Sequence, residues 1–432
     1  MSGKTKWTGS LRLNFLCRDY EIDLVSSKRI EINPPPSETL NNKSGFSVNL
    51  IDENGKVFYS RMIRNPLRKE AEAFGQSKDE PITIETLDVM HEEFSVLIPD
   101  PGKVFELEIV NLPYVDEEGV TPVWQTFSFT IDPSVETAPA AVALEGLEDG
   151  RVVGAQKIVD HGGDKECWNI ALLAEGYQPH ELDKFSDDAG NFANYLSGLA
   201  PFSDFWLKTN VYRVDVESTD SGADLPGHCA DGQTVNVRTY FNASFCGAGS
   251  TTRLLVVDKA IAKRVWQEHV PTAHAAIVIV NSETYGGSGG EVPVFSTNSS
   301  AALIGIHELG HSFFNLADEY ETPYINDDPD KYPNLTSKTD LQEIKWADLI
   351  APETPVPTSR NNCPQTGSGF SHPVPAGTVG LFEGGLYKSC NVFRAERSCL
   401  MRNFSQPRFC AVCERAIREK LLSLVQIDTP IV

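Results

Sequence analysis

Two different patterns of hydrophobic and polar residues divide the chain. Up to about residue 133, apolar and polar residues alternate with a period of two, as in SLRLNF, VFELEIV and WQTFSFTI. That alternation is typical of half-buried β-strands. The run FSVNLIDENGKVFYS indicates a hairpin, with Asn54-Gly55 as a turn of positive φ. These short strands and turns predict an all-β sandwich domain over residues 1–133.

The pattern changes after a segment that is rich in alanine, proline and acidic residues. This segment, residues 134–150, reads SVETAPAAVALEGLEDG and is predicted to be a linker. Beyond it, the continuous apolar runs WNIALLA and HAAIVIV indicate buried strands, and helical spacing is found around them, for example over Arg253–Val270. We expect an α/β domain over residues 151–432, with a long irregular segment at Pro323–Tyr387.

One predicted helix of the second domain carries residues suited to catalysis. Residues Ser300–Phe314 have helical spacing and contain the motif HELGH, with His307, Glu308 and His311. Residues four apart lie on one face of a helix, so the two imidazoles can bind one metal ion. Glu308 then points around the helix and can act on a water molecule without binding the metal. The motif predicts one catalytic Zn²⁺ ion, with Glu308 as the general base for a water activated by the metal.

A catalytic zinc needs a third protein ligand and one open coordination position. Asn315 tolerates the left-handed conformation that ends such a helix, and Asp318 follows three residues later. We therefore expect Asp318 to be the third ligand, with Glu319 as the alternative.

Other segments supply further candidate residues. Met401, in SCLMR, follows in the order expected for a Met-turn, a tight loop that places a methionine beneath the zinc. The glycine-rich run that begins with Tyr285, Gly286 and Gly287 comes after a buried strand, and these three residues are candidates for substrate binding because glycines allow a peptide to approach closely. The candidate donors to a developing oxyanion are Tyr320, Tyr387 and Arg402.

The charge of the chain bears on its partners. Lysine and arginine total 37 against 60 acidic residues, which gives a net charge of −23. Such acidity argues against binding to nucleic acids or anionic membranes. We expect no membrane span, because no apolar run approaches the roughly 20 residues required. The first residues lack the apolar stretch of a secretory signal, so we expect either a cytoplasmic protein or an exported one whose leader was removed.

The chain has nine cysteines. Cys229 and Cys246 flank a loop rich in glycine and aspartate and are expected to form a disulfide. Several more fall near the end of the chain, and for these disulfides, free thiols and a second metal site all stay open. A second metal would use the CxxC motif of FCAVC together with Cys390 and Cys399. The cysteines near the end are Cys363, Cys390, Cys399, Cys410 and Cys413.

Several motifs occur in an order that resembles a known family. They are LLAEGYQPHELDKFSDDAGNFANYL, NVYRVDVESTDSG, RLLVVD, VNSETYGGSGG and HELGHSFFNLADEY. Over about Ala155–Arg418 the chain resembles the IgA-peptidase family of zinc metallopeptidases, metzincin-like endopeptidases often preceded by a β-sandwich domain. The resemblance implies a zinc-dependent endopeptidase acting on protein or peptide substrates, with His307, Glu308 and His311 at its site. Because family members are commonly exported from bacteria, it also implies a location outside the cytoplasm.

Two other interpretations stay open. The chain could be a catalytically silent binding or adhesion protein built on a metallopeptidase scaffold. Alternatively, the metal site could be purely structural, with four filled ligand positions. The sequence leaves the substrate preference and the oligomeric state undetermined.

Overall fold

The protein is described by a computed structural model over residues 7, 9–18, 21–40, 45–63, 70–75, 82–86, 91–112, 125–137, 149–229, 234–247, 251–321, 327–364 and 367–425. Its N-terminal part consists of strands. They are β1 (Ser10–Arg18), β2 (Glu21–Ile30), β3 (Gly45–Ile51), β4 (Val57–Ile63), β5 (Glu70–Ala73), β6 (Thr83–Thr86), β7 (His91–Pro99), β8 (Phe105–Leu112) and β9 (Gln125–Ile131).

Two antiparallel sheets of this part share one hydrophobic core. One sheet has the order β2-β1-β7 and the other the order β4-β3-β8-β9, while β5 and β6 form a separate pair. Leu11, Leu13 and Phe15 alternate along β1 and are buried against apolar side chains of the second sheet, such as Val48 and Leu107. The β-rich character predicted from the period-two pattern is confirmed.

The predicted hairpin is formed by β3 and β4, which pair antiparallel. Gly55 takes a φ of 76°, a left-handed conformation that glycine adopts without steric cost. The Asp52 carboxylate accepts hydrogen bonds from the backbone N–H groups of Asn54 and Lys56 and so closes the turn. The prediction of a positive φ was right for Gly55 and wrong for Asn54, because the Asp52 side chain fixes the turn instead.

A six-stranded sheet organises the second part of the chain. Its order is β10-β12-β11-β13-β15-β14, and the inner neighbours are parallel while β10 and β14 run antiparallel at the edges. Both faces of the inner strands are covered, and all residues of β11 and β13 are buried, as their continuous apolar runs predict. The elements are β10 (Gly150–Val159), β11 (Trp168–Glu175), α1 (Leu182–Gly198), β12 (Thr209–Ser218), α2 (Lys259–His269), β13 (Ala275–Val280), β14 (Gly287–Ser288), β15 (Val294–Ser296), α3 (Ala302–Ser312) and α4 (Ala411–Leu424). The predicted α/β character of this part is confirmed.

A smaller sheet lies between α3 and α4 in sequence. Its strands are β16 (Leu335–Thr336), β17 (Ser359–Arg360), β18 (Phe370–Ser371), β19 (Phe382–Gly385) and β20 (Lys388–Arg394), in the order β16-β20-β19-β17-β18. The segment Pro323–Tyr387, predicted to be long and irregular, contains four of these short strands among its described residues. Most of these strands are two residues long, and two residues show no alternation of apolar and polar positions. The described residues also contain short 3₁₀ helices at Pro179–Glu181, Phe202–Lys208, Pro329–Lys331 and Ala347–Leu349.

Direct contacts join the N-terminal sheets to the second part. The guanidinium of Arg12 donates a hydrogen bond of 2.8 Å to the carbonyl of Ala273. Of the predicted linker, residues 138–148 lie outside the described residues, and β10 already begins at Gly150. The predicted domain boundaries stay predictions.

Two disulfides link residues of the second part. Cys229–Cys246 confirms the predicted pair, and Cys363–Cys390 adds another. Cys390 is thereby removed from the metal site considered with the CxxC motif. Such disulfides are compatible with a protein that works outside the cytoplasm. Across the part of the chain that the structure describes, no helix has the length and apolarity to span a bilayer.

Candidate active site

Helix α3 is buried on almost every side. Ile304, Ile306 and Leu309 pack into the main core, and His307 and His311 are buried with them. Asn315 takes a φ of 55°, as predicted, so the chain turns back just after the helix. The Leu316 N–H donates to the Gly310 carbonyl at 2.9 Å and satisfies part of the helix end. This turn brings the following residues beside the helix.

His307, His311 and Asp318 converge on one point. The Nε2 atoms of the two imidazoles are 2.9 Å apart. Oδ1 of Asp318 lies 3.3 Å from Nε2 of His307 and 3.1 Å from Nε2 of His311. All three side chains are buried, so their polar atoms face one another rather than water. The fold thus brings together the three side chains that the spacing grouped, while their role as metal ligands stays a prediction.

The Nδ1 atoms of the two imidazoles both face backbone carbonyls. Nδ1 of His307 lies 2.9 Å from the Leu400 carbonyl, and Nδ1 of His311 lies 2.7 Å from the Leu316 carbonyl. A carbonyl only accepts, so each Nδ1 carries a proton, and a ring in its neutral form has its lone pair at Nε2. Two lone pairs and a carboxylate oxygen then face one another. A positive charge between these acceptor atoms removes the repulsion among them. Nitrogen and oxygen donors of this kind suit zinc.

Glu72 supplies a fourth acceptor that the sequence did not reveal. Its Oε2 lies 3.6 Å from Nε2 of His307 and 3.8 Å from Nε2 of His311. The neighbouring Phe74 ring meets the His307 ring edge to face at 5.0 Å. Glu72 belongs to β5, far from the helix in sequence and in a segment without a recognisable motif. Only the folded chain brings it to the site.

The carboxylates make the site attractive to positive charge. Burial disfavours the charged form of His307, but Asp318 and Glu72 outweigh it and hold the pKa of His307 well above its usual value. Burial alone would raise the pKa of Asp318, but His311 and His307 hold it well below its usual value. Both directions show that a positive charge between these groups is stabilised.

Tyr387 fixes the orientation of the Asp318 carboxylate. Its hydroxyl oxygen lies 2.5 Å from Oδ2 of Asp318 and 3.1 Å from Oε1 of Glu72. Because a phenol has one proton, it donates to one carboxylate at a time. Oδ1 of Asp318 is left facing the histidines. The Tyr320 ring packs edge to face against Tyr387, and Arg402 forms an ion pair with Glu321. The predicted role of Tyr320, Tyr387 and Arg402 as oxyanion donors stays a prediction.

Glu308 is buried on the same helix, and its carboxylate lies against the backbone of Gly289. A Cβ atom added at Gly289 would be 1.9 Å from Oε2 of Glu308, so only glycine leaves this space free. Lys259 donates to the carbonyl of Gly289 and holds the segment in place. The glycine that borders the site is therefore Gly289, which the sequence did not single out.

The glycines that were predicted to bind substrate are packed against the chain itself. A Cβ atom at Gly286 would lie 2.8 Å from the Arg253 carbonyl oxygen, and one at Gly287 would lie 2.6 Å from the Val294 carbonyl oxygen. The hydroxyl of the buried Tyr285 donates to the Gly75 carbonyl at 3.0 Å. Close packing of the fold accounts for these residues, and their part in substrate binding stays a prediction.

Met401 lies beneath α3. It is fully buried, and its Sδ atom is 2.7 Å from the position that a Cβ atom would take at Gly310, between the two histidines. The preceding Leu400 provides the carbonyl that faces His307, and the Met401 carbonyl accepts a hydrogen bond of 2.8 Å from the Glu319 N–H. The segment thus supports both the helix and the turn after it. Its classification as a Met-turn stays a prediction.

Glu319, the alternative third ligand, points away from the histidines into a neighbouring cluster. Its Oε1 lies 3.0 Å from the amide nitrogen of Asn334 and 3.3 Å from the sulfur of Cys413. Of the two adjacent carboxylates, Asp318 is the one that faces the imidazoles.

Comparison with known proteins identifies a family match over this part of the chain. The sequence model described as IgA Peptidase M64 matches residues 157–370 and 366–421, which is more than half of the chain. No curated protein matches the sequence.

Proposed function

Because this chain belongs to the IgA peptidase M64 family, which makes it a peptidase, we propose that it is a zinc-dependent endopeptidase acting on proteins. The membership confirms the resemblance noted in the sequence. The observation that carries the finer proposal is the convergence of His307, His311 and Asp318 on one point with their acceptor atoms inward.

His307, His311 and Asp318 would hold the zinc ion. The carbonyls of Leu400 and Leu316 keep the two imidazoles in the tautomer that binds metal. Bound there, zinc would polarise the scissile carbonyl and lower the pKa of a water molecule to about 7. Asp318 offsets part of the charge of the ion.

Glu308 would move the proton during hydrolysis. Its carboxylate accepts a proton from the attacking water and passes it to the amine that leaves. Its position against Gly289 restricts the direction in which the carboxylate points. The protein therefore supplies a base whose orientation is fixed before the substrate arrives.

We also propose a division of the chain into domains and a fold type for each domain. The two N-terminal sheets with their shared core support a β-sandwich accessory domain over residues 1–133, followed by a linker over 134–150. The turn at Asn315 and the position of Met401 beneath α3 support a metzincin-like catalytic domain over 151–432.

The proposed location is outside the cytoplasm, where the two disulfides would be stable. The proposed substrates are proteins or peptides, and the name of the family does not make immunoglobulin A the substrate of this chain.

The proposal predicts that activity requires both the metal and Glu308. The zinc-loaded chain should digest an unfolded, casein-like protein, and a chelator should abolish the digestion. The variant Glu308→Gln should keep its zinc but lose activity by roughly 10²- to 10⁴-fold, because it removes the base and leaves the ligands. Fragments are measured by mass spectrometry and zinc by elemental analysis.

The same measurements test two other candidate functions. A purely structural metal site has a specific observation in its favour, since Glu72 provides a fourth protein atom around the same point. A silent binding protein would also retain zinc. If the wild-type chain and the Glu72→Ala variant described below are both without activity under every metal condition, the peptidase proposal fails. Undiminished activity of Glu308→Gln would remove Glu308 from the mechanism.

A further inference from the structure

Three cysteines and a glutamate form a second cluster behind the candidate active site. Cys399, Cys410, Cys413 and Glu319 each offer one donor atom, and these atoms all lie within 4.8 Å of one another. Sγ of Cys399 is 3.7 Å from Sγ of Cys413, and Oε1 of Glu319 is 3.3 Å from Sγ of Cys413 and 3.7 Å from Sγ of Cys410. All four side chains are completely buried.

These distances match those of a tetrahedral zinc site. With Zn–S bonds near 2.3 Å and Zn–O bonds near 2.0 Å, two sulfurs at tetrahedral corners are about 3.8 Å apart, and a sulfur and an oxygen about 3.5 Å. The Cys399–Cys413 distance and the two Glu319 distances fall close to these values. The CxxC spacing of Cys410 and Cys413, at the start of α4, is also common in structural zinc sites.

Backbone N–H groups surround the sulfurs as they would surround thiolates. The N–H groups of Met401 and Cys410 point at Sγ of Cys399 at 3.4 and 3.3 Å, and the N–H of Cys413 points at Sγ of Cys410 at 3.4 Å. Hydrogen bonds of this kind orient metal ligands and stabilise their negative charge. The donors of the cluster are therefore prepared for a cation.

The buried carboxylate needs such a cation. Oε2 of Glu319 is buried and has no hydrogen-bond partner among the described residues. An ionised carboxylate in this position is costly unless it is paired or bound to a metal. The chain also forms two disulfides elsewhere, yet these three neighbouring thiols stay unpaired. Binding of a metal explains both facts.

We propose that Cys399, Cys410, Cys413 and Glu319 bind a second, structural zinc ion. The ligands come from the turn after α3, the segment of Met401 and the start of α4. Glu319 is adjacent to Asp318, and Cys399 comes just before Leu400, whose carbonyl faces His307. The second zinc thus fixes the segments that position the ligands of the first.

Cobalt substitution separates the two sites, because only this cluster has thiolate ligands. The whole chain produced with cobalt should show thiolate-to-cobalt charge-transfer absorption. Cys413→Ala should abolish this absorption, and His311→Ala should retain it while losing the other metal equivalent. Cys17→Ser is the matched control, since Cys17 is a single buried thiol on β1 and should leave both metals in place.

The wild-type chain alone can overturn the proposal. Elemental analysis should find two zinc equivalents per chain, and the native protein should contain Cys399, Cys410 and Cys413 as thiols after removal of the metals. A single zinc equivalent without charge-transfer absorption in the cobalt form would contradict the site. So would a disulfide between any two of these cysteines, detected by mass spectrometry. Neither result depends on peptidase activity.

The position of Glu72 at the candidate active site is a separate observation that supports a second proposal. Its carboxylate is almost completely buried, and Oε2 approaches both histidines while Oε1 meets the Tyr387 hydroxyl. Phe74 stacks on Phe404 at 5.4 Å, and Gly75 accepts the hydrogen bond from Tyr285. The N-terminal part therefore places a short, well-anchored segment over the metal ligands.

We propose that Glu72 acts as a latch, a removable fourth ligand that lowers the activity of the peptidase without abolishing it. This inference rests on the proposed function. A catalytic zinc needs an open position for water and substrate, and the Glu72 carboxylate occupies the place where that position would be. Movement of the segment that carries Glu72, or its cleavage, would open the site.

The variant Glu72→Ala tests the latch through both metal binding and turnover. Zinc affinity, measured by competition with a coloured chelator, should fall by roughly 10- to 100-fold, because one ligand is lost. Digestion of the unfolded protein substrate at saturating zinc should rise by about ten-fold or more. Glu21→Ala is the matched control, since Glu21 is an exposed glutamate on β2 of the same part of the chain.

The outcomes distinguish the two proposals. Wild-type activity equal to that of Glu72→Ala, with unchanged zinc affinity, would overturn the latch and leave the peptidase proposal standing. Weaker zinc binding in Glu72→Ala without any activity would show that Glu72 completes a structural site, which contradicts both the latch and the peptidase.

Discussion

A single backbone position determines where the candidate base can lie. Glu308 is buried on α3, and its carboxylate occupies the space beside Gly289 that any larger residue would fill. The glycine is required here for close approach rather than for its φ angle. Catalysis by a base is sensitive to displacements of about 1 Å, which cost on the order of 10²-fold in rate.

We predict that Gly289→Ala lowers activity by about 10²-fold while zinc binding is retained. The added methyl group would push the Glu308 carboxylate, a flexible side-chain end, out of its position without touching the ligands. Activity and zinc content of the purified variant provide the measurement.

Gly190→Ala is the control for this prediction. Gly190 lies within α1, and no atom lies near the position of an added Cβ, so alanine should raise stability by up to about 1 kcal/mol and leave activity unchanged. Full activity of Gly289→Ala would show that Glu308 does not need its observed position.

Residues close in sequence were predictable, and those brought together by the fold were not. His307, His311 and Asp318 lie within one helix and the turn after it, so spacing and the left-handed tolerance of Asn315 were enough to group them. Glu72 is contributed by a different sheet, and Gly289 contacts Glu308 only through the packing of β14 beside α3. No local pattern marks such long-range contacts.

Elements with a clear period were also predictable. Buried strands β11 and β13 and helix α3 match the patterns predicted for them. Helix α2 begins at Lys259 rather than at the predicted Arg253, because the Asp258 carboxylate caps it by accepting from the N–H groups of Ala260 and Ile261. The cap was present in the sequence, but the apolar periodicity continued past it.

The small sheet between α3 and α4 could not be predicted from the pattern of apolar and polar residues. Its strands β16, β17 and β18 each span two residues, and their pairing is set by neighbours that are distant in sequence. The disulfide Cys363–Cys390 joins the connection between β17 and β18 to β20. Pairing of cysteines follows from their proximity in the fold, which their spacing in sequence does not specify.

At the scale of the whole molecule, both parts of the chain contribute to one buried site. The second part provides the helix and the turn, and the N-terminal part provides Glu72 and Phe74. Behind this site, the cysteine cluster links the turn that carries Asp318 and Glu319 to α4. The sequence predicted two parts in the correct order, but it did not predict that the first part would reach the metal ligands of the second.

Anomalous X-ray scattering measured above and below the zinc absorption edge tests the central claim most directly. We predict a zinc peak within bonding distance of Nε2 of His307, Nε2 of His311 and Oδ1 of Asp318, where these atoms already converge. Crystals of the zinc-loaded chain without a peak at this point, or with a peak that Asp318 does not reach, would contradict the account.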